Sequence, residues 1–131
     1  MSVEYSNPAG LHKPVDNMYS HVAKATGSIH YRIGGQVPVD EHGKNVGVGD
    51  MALQLRCCYE MVDLALRSTR LSWTNVVHLY TFTTDMDAYL AEEQAIARDY
   101  FEQSPPPSTL VEVTRLVDRE WLVEVQADAV G

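Results

Sequence analysis

The sequence predicts an α+β fold in a single domain, residues 1–131, with two long helices packed on one face of a single mixed sheet of about six strands. Four observations support this prediction. Two segments carry apolar residues at helical spacing, and several short segments are rich in β-branched and aromatic residues. Gly, Pro or Asp separates most of these segments, and 131 residues is a typical length for one domain.

The N-terminal third predicts an arm followed by two strands. Residues 1–18 show no periodicity and contain several turn-forming residues, so we expect them to be irregular. Strands are expected at residues 19–25 and 29–39, with residues 26–28 forming a hairpin turn between them. Gly34-Gly35 falls inside the second strand, which indicates a bulge or a backbone held close to another group.

The first long helix is predicted at residues 51–68. From Met51 to Leu66 the apolar positions recur at steps of three and four, which places them on one helix face. Asp50 is the residue type expected at an N-cap. Before it, residues 40–49 contain three glycines and predict a loop.

A strand at residues 73–83 and a second helix at residues 86–103 follow. The strand is rich in β-branched and aromatic residues, and the helix has an apolar face at helical spacing. Thr84 or Asp85 is expected to cap the helix. Prolines at 105–107 cannot continue a helix, so the helix must end before them and a strand is expected to begin at about Ser108.

The last two strands, predicted at residues 109–113 and 122–130, each present two different faces. On the final strand, the row expected to face the helices is apolar: Trp121, Val123, Val125, Ala127 and Ala129. Its opposite row is mostly polar: Leu122, Glu124, Gln126 and Asp128. By the same alternation Thr109, Val111 and Val113 form the first row of the preceding strand, and Ser108, Leu110 and Glu112 the second. The polar sheet face is either solvated in a monomer or lines wet clefts between subunits.

Composition excludes several classes of function. The net charge of −8 and the absence of a basic cluster make nucleic-acid and membrane partners unexpected. The N-terminus does not resemble a signal peptide, and the adjacent Cys57 and Cys58 are poorly suited to a disulfide, so a cytoplasmic protein is expected. His and Cys spacing predicts no metal site, and no nucleotide-binding fingerprint occurs.

Five segments in order carry a resemblance to a known family: YSHV, GGQVPVDEHG, GDMALQLRCCYEMVDLAL, NVVHLYTFTTDMDAYLAEEQAIARDYF and STLVEVTRL. Between about residues 19 and 130 the chain resembles the Rid (YjgF) family. The resemblance implies a chorismate-mutase-like fold and a homotrimer with sites in the clefts between subunits. It also implies hydrolysis of reactive enamines and imines to 2-keto acids and ammonia, without a cofactor.

The resemblance also implies roles for individual residues. Glu124 matches the family's glutamate near the attacking water, and Tyr19 matches a tyrosine of the active site. The backbone of Gly34 and Gly35 matches a turn that approaches the substrate. Leu110 falls where the family has a cysteine.

Ser108 departs from the family pattern, because it falls where the family has the arginine that clamps the substrate carboxylate. A serine hydroxyl cannot replace a permanently charged guanidinium that binds a carboxylate through two parallel hydrogen bonds. Activity on carboxylate-bearing substrates is therefore expected to be weak. Three other cationic side chains are alternative partners for a carboxylate: Arg32, Arg115 and Lys24. His21, two residues after Tyr19, is either an acid or base in the same cleft or a surface or interface histidine.

Three functions remain open at this stage. The first is an enamine or imine deaminase whose small-molecule substrate lacks a carboxylate or binds it elsewhere. The second is a trimeric small-molecule-binding protein that has lost the chemistry. The third is an endoribonuclease, an activity sometimes ascribed to relatives, which the net charge of −8 disfavours.

Overall fold

The computed structural model of the protein describes residues 2–101 and 105–131. It contains two helices, α1 (Met51–Ser68) and α2 (Met86–Phe101), and six strands: β1 (Ser2–Ser6), β2 (Val22–Thr26), β3 (His30–Gln36), β4 (Val76–Thr83), β5 (Ser108–Glu112) and β6 (Val123–Val130). Short 3₁₀ turns lie at Val15–Asn17 and Trp73–Asn75. No helix in the described part of the chain is long and apolar enough to cross a membrane.

The strands form two sheets. Four of them hydrogen-bond in the order β3-β6-β4-β5, and β1 pairs only with β2. The pair β4-β5 is parallel and the other pairs are antiparallel, so the larger sheet is mixed. The predicted α+β fold with two helices and about six strands is confirmed, with one correction: the strands do not form a single sheet.

The N-terminal arm accounts for this correction. Residues 2–6, expected to be irregular, form β1 and pair along the whole of β2, from Ser2 opposite Thr26 to Ser6 opposite Val22. The predicted hairpin at residues 26–28 is wrong, because β2 pairs with β1 while β3 pairs with β6. Tyr5 anchors the arm by donating a hydrogen bond of 2.6 Å from its hydroxyl to the carbonyl of Val76. Such a distant partner is invisible in the local pattern of residues.

Both helices begin directly after a residue expected to cap them. Asp50 accepts a hydrogen bond of 3.1 Å from the backbone N–H of Leu53, and this caps α1. At α2, the Asp85 carboxylate accepts a bond of 3.1 Å from the N–H of Ala88, so Asp85 and not Thr84 acts as the cap. The predicted end of α2 at Gln103 lies outside the described residues.

The hydrophobic core lies between the helices and one face of the larger sheet. Buried apolar residues of β6 pack there with residues of α1: Val123, Val125, Ala127, Ala129, Leu55, Cys58, Val62 and Leu66. The alternate residues of β6, Glu124, Gln126 and Asp128, are only half-buried. The two predicted faces of the last strand are therefore confirmed, and the half-polar face remains uncovered within one chain. We call it the open face.

On β5 the predicted faces are reversed. The parallel register aligns Ser108 with Leu79 and Leu110 with Thr81, and these β4 residues face the helices. Ser108, Leu110 and Glu112 therefore lie on the helix side, and Thr109 and Val111 lie on the open face. The short, polar β5 sequence does not distinguish its two rows clearly, so its pairing with β4 decides which row points inward.

One buried amide joins the loop before α1, the helix and the start of β6. The Gln54 side chain is 1% exposed, and its Nε2 donates to the carbonyls of Gly47 (3.1 Å) and Glu120 (2.9 Å). Its Oε1 accepts a bond of 2.7 Å from the N–H of Leu122. All three partners are backbone groups, which are costly to leave unpaired in the interior.

Replacing Gln54 with alanine is expected to lower the free energy of unfolding by about 2–4 kcal/mol, because three backbone groups lose their partner. Urea denaturation followed by far-UV circular dichroism at one fixed protein concentration measures this change. Gln36→Ala is the control, since Gln36 makes one hydrogen bond, of 3.1 Å to the carbonyl of Gly34, at an exposed site. Equal destabilisation by the two variants would contradict the role assigned to Gln54.

Candidate functional site

The proline run positions the start of β5 beside the segment that carries Tyr19. Ser20 donates from its backbone N–H to the carbonyl of Pro106 (3.3 Å) and from its hydroxyl to the carbonyl of Pro105 (2.7 Å). Pro107 accepts a bond of 2.9 Å from the N–H of Leu79. The prolines have no N–H to donate, but their carbonyls join the two segments. β5 begins at Ser108, as predicted.

A cavity of about 250 Å³ opens where these segments meet α2, and we call it the outer pocket. Its lining includes three of the residues implied by the family resemblance, Tyr19, Ser108 and Leu110. Apolar walls are supplied by Met18 and Leu90. A cavity of this volume accommodates a small organic ligand.

Beneath it lies a smaller cavity of about 10 Å³, the inner pocket, which is near the minimum that one water molecule requires. Glu93 and Ser108 line both pockets, so the two are contiguous. The hydroxyl of Tyr89 donates to Oε1 of Glu93 at 3.3 Å, and Tyr59 and Thr81 line the same pocket. Burial raises the pKa of Glu93 above its ordinary value.

The inner pocket and its polar lining were not found by reasoning from the sequence. In the sequence Tyr89 belongs to the apolar face of the second helix, and no pattern distinguishes Glu93 from the other acidic residues of that helix. The spacing of four residues between them was the available signal, because residues four apart lie on the same side of a helix. Only the packing of α2 against β5 shows that this side faces a cavity.

Tyr19 is held by two histidines. Its hydroxyl lies 2.6 Å from Nε2 of His12, and Nε2 of His21 donates a bond of 2.6 Å to the backbone carbonyl of His12. The three rings meet edge to face, with centroids 4.7 to 6.1 Å apart. The predicted strand began at Tyr19, but β2 begins at Val22, so His21 contacts the arm and does not line the outer pocket. His12 carries no local sequence signal, because it approaches Tyr19 only when the arm folds back.

Glu124 and the two glycines form a separate group on the open face. The register between β3 and β6 shifts between Ile33 and Gln36, which confirms the predicted bulge at Gly34-Gly35. A Cβ atom at Gly35 would overlap Oε2 of Glu124, so the carboxylate lies directly against this backbone. Burial raises the pKa of Glu124.

The two groups lie on opposite faces of the sheet. Phe82 on β4 aligns with Glu124 on one side and with Val111 on the other, and these residues share the open face. Ser108 and Leu110 lie on the face that packs against the helices. Within one chain, therefore, Glu124 does not converge with Ser108 and Tyr19 on a single cleft.

None of the alternative cations lines the outer pocket. Arg32 pairs with Asp128 at 3.2 Å on the larger sheet, and Lys24 lies on β2 opposite Glu4. Arg115 donates to the carbonyls of Leu116 (3.0 Å) and Val117 (2.8 Å) in its own loop. Across residues 2–101 and 105–131, no group of three or more His, Cys, Asp or Glu residues is arranged to hold a metal ion.

The fold and the pockets define a small α+β protein with a ligand-sized cavity at the edge of its sheet. The model of the family described as Endoribonuclease L-PSP matches residues 11–131. A RutC family protein of Pyrococcus horikoshii is 30% identical over 117 residues, which cover 89% of each chain.

Two solved structures are similar over nearly the whole chain. A Yersinia pestis protein of the conserved Rid family superimposes with a TM-score of 0.92 at 26% identity, covering 100% of both chains. A Thermotoga maritima protein described as a putative endoribonuclease superimposes with a TM-score of 0.71 at 27% identity, covering 100% of this chain and 97% of the other. The protein belongs to the endoribonuclease L-PSP family, which is the Rid/YjgF family.

Proposed function

We propose that this protein is a deaminase that hydrolyses small enamines or imines lacking a carboxylate. An enamine first takes a proton at its β-carbon and loses one from nitrogen, which converts it to an imine. Water then adds to the carbon of the C=N bond and the nitrogen takes up a proton. The carbon–nitrogen bond breaks to yield a carbonyl compound and ammonia. No cofactor is required by this chemistry. The observation that carries the proposal is the outer pocket, which places Tyr19 beside Ser108 and Leu110 with no Lys or Arg among its described lining residues.

Four residues implied by the resemblance have roles in the proposed reaction. Glu124 is the base that activates water, and burial raises its pKa towards the range useful for proton transfer. Tyr19 protonates the leaving nitrogen, and His12 at 2.6 Å is placed to pass it a proton. Gly34 and Gly35 offer their backbone to the substrate.

The opposite placement of Glu124 and the outer pocket favours a site built from two chains. In a homotrimer whose open faces are turned inward, Glu124 of one chain can approach the outer pocket of its neighbour. Two features of the open face support such burial. The Val111 side chain is 39% exposed there, and the buried Oδ1 of Asp128 has no hydrogen-bond partner in the described chain.

Two other functions are less well supported. A non-catalytic small-molecule-binding trimer is favoured by the serine at position 108, because a site that has lost its clamp can retain binding alone. Endoribonuclease activity is suggested by the family description, but a net charge of −8 opposes contact with RNA phosphates.

Both cysteines are free, in keeping with the cytoplasm as the proposed location.

The decisive experiment measures ammonia release from enamines and imines with and without carboxylates. Carboxylate-free substrates should be turned over fastest, and Glu124→Ala should reduce the rate by about 100-fold or more, because general-base catalysis is lost. Glu120→Ala removes an exposed carboxylate from the same region and should have no effect. If wild type releases no ammonia from any substrate, the binding-protein alternative replaces this proposal.

Ser108→Arg should raise activity on 2-aminoacrylate at least about tenfold, since a guanidinium supplies the missing carboxylate contact. Thr114→Arg is the control, because it adds the same charge at an exposed position outside the lining of both pockets. Steady-state ammonia release on both variants, after circular dichroism confirms folding, makes the comparison. An equal gain in both variants would mean that the added charge acts without a defined position.

The oligomeric state is tested by light scattering coupled to size-exclusion chromatography. We expect a mass near three times the 14.6 kDa of one chain at micromolar concentration. A monomer under these conditions would rule out a shared site and leave Glu124 remote from the outer pocket.

A further inference from the structure

We propose that the outer pocket selects cationic ligands, namely small alkylammonium and iminium ions, and that Glu93 is their counter-ion. The inference rests on the proposed function only in taking the outer pocket as the substrate pocket. It names the charge of the substrate class, which the loss of the arginine alone does not determine. A pocket without a cation is open to neutral ligands, whereas a carboxylate inside it favours positive ones.

The ionisable groups of the outer pocket are acidic. Glu93 lies on its α2 wall and Asp16 at its mouth, and Tyr19 adds a phenol. No Lys or Arg belongs to its described lining. The nearest guanidinium on α2, Arg98, lines a neighbouring depression with Asp16 instead. An anionic ligand would meet only like charge here, while a cation would meet opposite charge in a partly desolvated site.

Glu93 is held in position for this role. Its side chain is half-buried between the inner and outer pockets, and the Tyr89 hydroxyl donates to its Oε1 at 3.3 Å. Tyr89 is itself almost fully buried and lines the inner pocket together with Tyr59 and Thr81, so packing fixes the hydroxyl that orients the carboxylate. A phenol is a neutral partner, and among the described residues no salt bridge to Glu93 is formed. Its negative charge is therefore uncompensated until a ligand arrives.

The remainder of the outer pocket suits a small alkyl group. Met18, Leu90 and Leu110 supply apolar walls, and Ser108 and Gln94 supply neutral polar contacts. The volume of about 250 Å³ admits a ligand of several heavy atoms but not a nucleotide chain. A protonated imine has both required features, a positive nitrogen and an alkyl body, and it is also the form of an imine most open to attack by water.

Isothermal titration calorimetry on the intact purified protein tests this selectivity with three ring compounds of similar size. Pyrrolidinium is the cation, tetrahydrofuran the neutral analogue and tetrahydrofuran-2-carboxylate the anion. Wild type should bind pyrrolidinium at least about tenfold more tightly than the other two, because it alone forms a charge-assisted hydrogen bond with Glu93.

The isosteric change Glu93→Gln should weaken pyrrolidinium binding about tenfold and leave tetrahydrofuran binding unchanged. Glu92→Gln is the matched control. It removes the same charge from the neighbouring residue, whose side chain is not part of the pocket lining. Equal weakening by both variants would show that only the general negative field matters. Anion binding as tight as cation binding in wild type would overturn the proposal outright.

The pH dependence of wild-type binding provides a second measurement that needs no variant. Pyrrolidinium binds the ionised carboxylate, so its affinity should rise with pH through the pKa of Glu93, which burial raises above 4.5. Asp16 is the other carboxyl facing the pocket, and Asp16→Asn should leave the midpoint of this rise unchanged. The phenols of Tyr59 and Tyr89 have pKa values raised by burial and stay neutral across this range. A pH-independent affinity would contradict the assignment of Glu93.

Failure of this inference is distinguishable from failure of the proposed function. Calorimetry requires no turnover, so cation selectivity can be present in a protein that releases no ammonia. Conversely, ammonia release that depends on Glu124 but not on Glu93, with no preference for pyrrolidinium, would retain the deaminase and reject the cationic substrate class.

Discussion

The alternation of side chains along β5, β4 and β6 is the constraint on which the site depends. In a strand, successive residues point to opposite faces, and residues aligned across neighbouring strands point to the same face. The register that buries Val123 and Val125 under the helices therefore commits Glu124 to the open face. The parallel pairing of β5 with β4 commits Ser108 to the helix side. A one-residue shift in either pairing would expose core residues, so the separation of the two groups cannot be relaxed without loss of the fold.

Because Glu124 and the outer pocket lie on opposite faces of the sheet, the packing of the core also bears on how chains must assemble for the proposed reaction. A hydrolase that uses both Glu124 and the outer pocket, as proposed here, needs a second chain to bring them together. The open face is the surface proposed to contact that chain. It carries Val111 and a buried Asp128 oxygen that no described group satisfies. The alternation of side chains that builds the hydrophobic core is therefore also the reason why the proposed site requires a second chain.

The polar side chains that line the inner pocket are expected to serve ligand binding, because apolar side chains in the same place would stabilise the fold more. Tyr59 and Tyr89 are almost fully buried, and together with Thr81 and Glu93 they bring hydroxyls and a carboxyl into a region that apolar side chains could fill. A carboxylate whose pKa is raised by burial is less stable ionised in the folded state than in water. Together these groups form an acidic site whose carboxylate is already oriented. It lies next to Ser108, where the family resemblance implies a cation in relatives of this protein. Within the proposed function, Ser108 leaves the described lining of the pocket without a cationic side chain and Glu93 adds a carboxylate, so both residues favour a positively charged ligand.

The sequence by itself determined those features that depend only on residues close together in the chain. The period of α1, its Asp50 cap, the bulge at Gly34-Gly35 and the two faces of β6 all follow from such short-range features, and all are confirmed. The tertiary structure alone decided the pairing of β1 with β2, the orientation of β5, and the approach of His12 to Tyr19 and of Glu93 to Ser108. These depend on partners far apart in the chain, and a short strand such as β5 has too few residues to show which of its faces is buried until its neighbour is known.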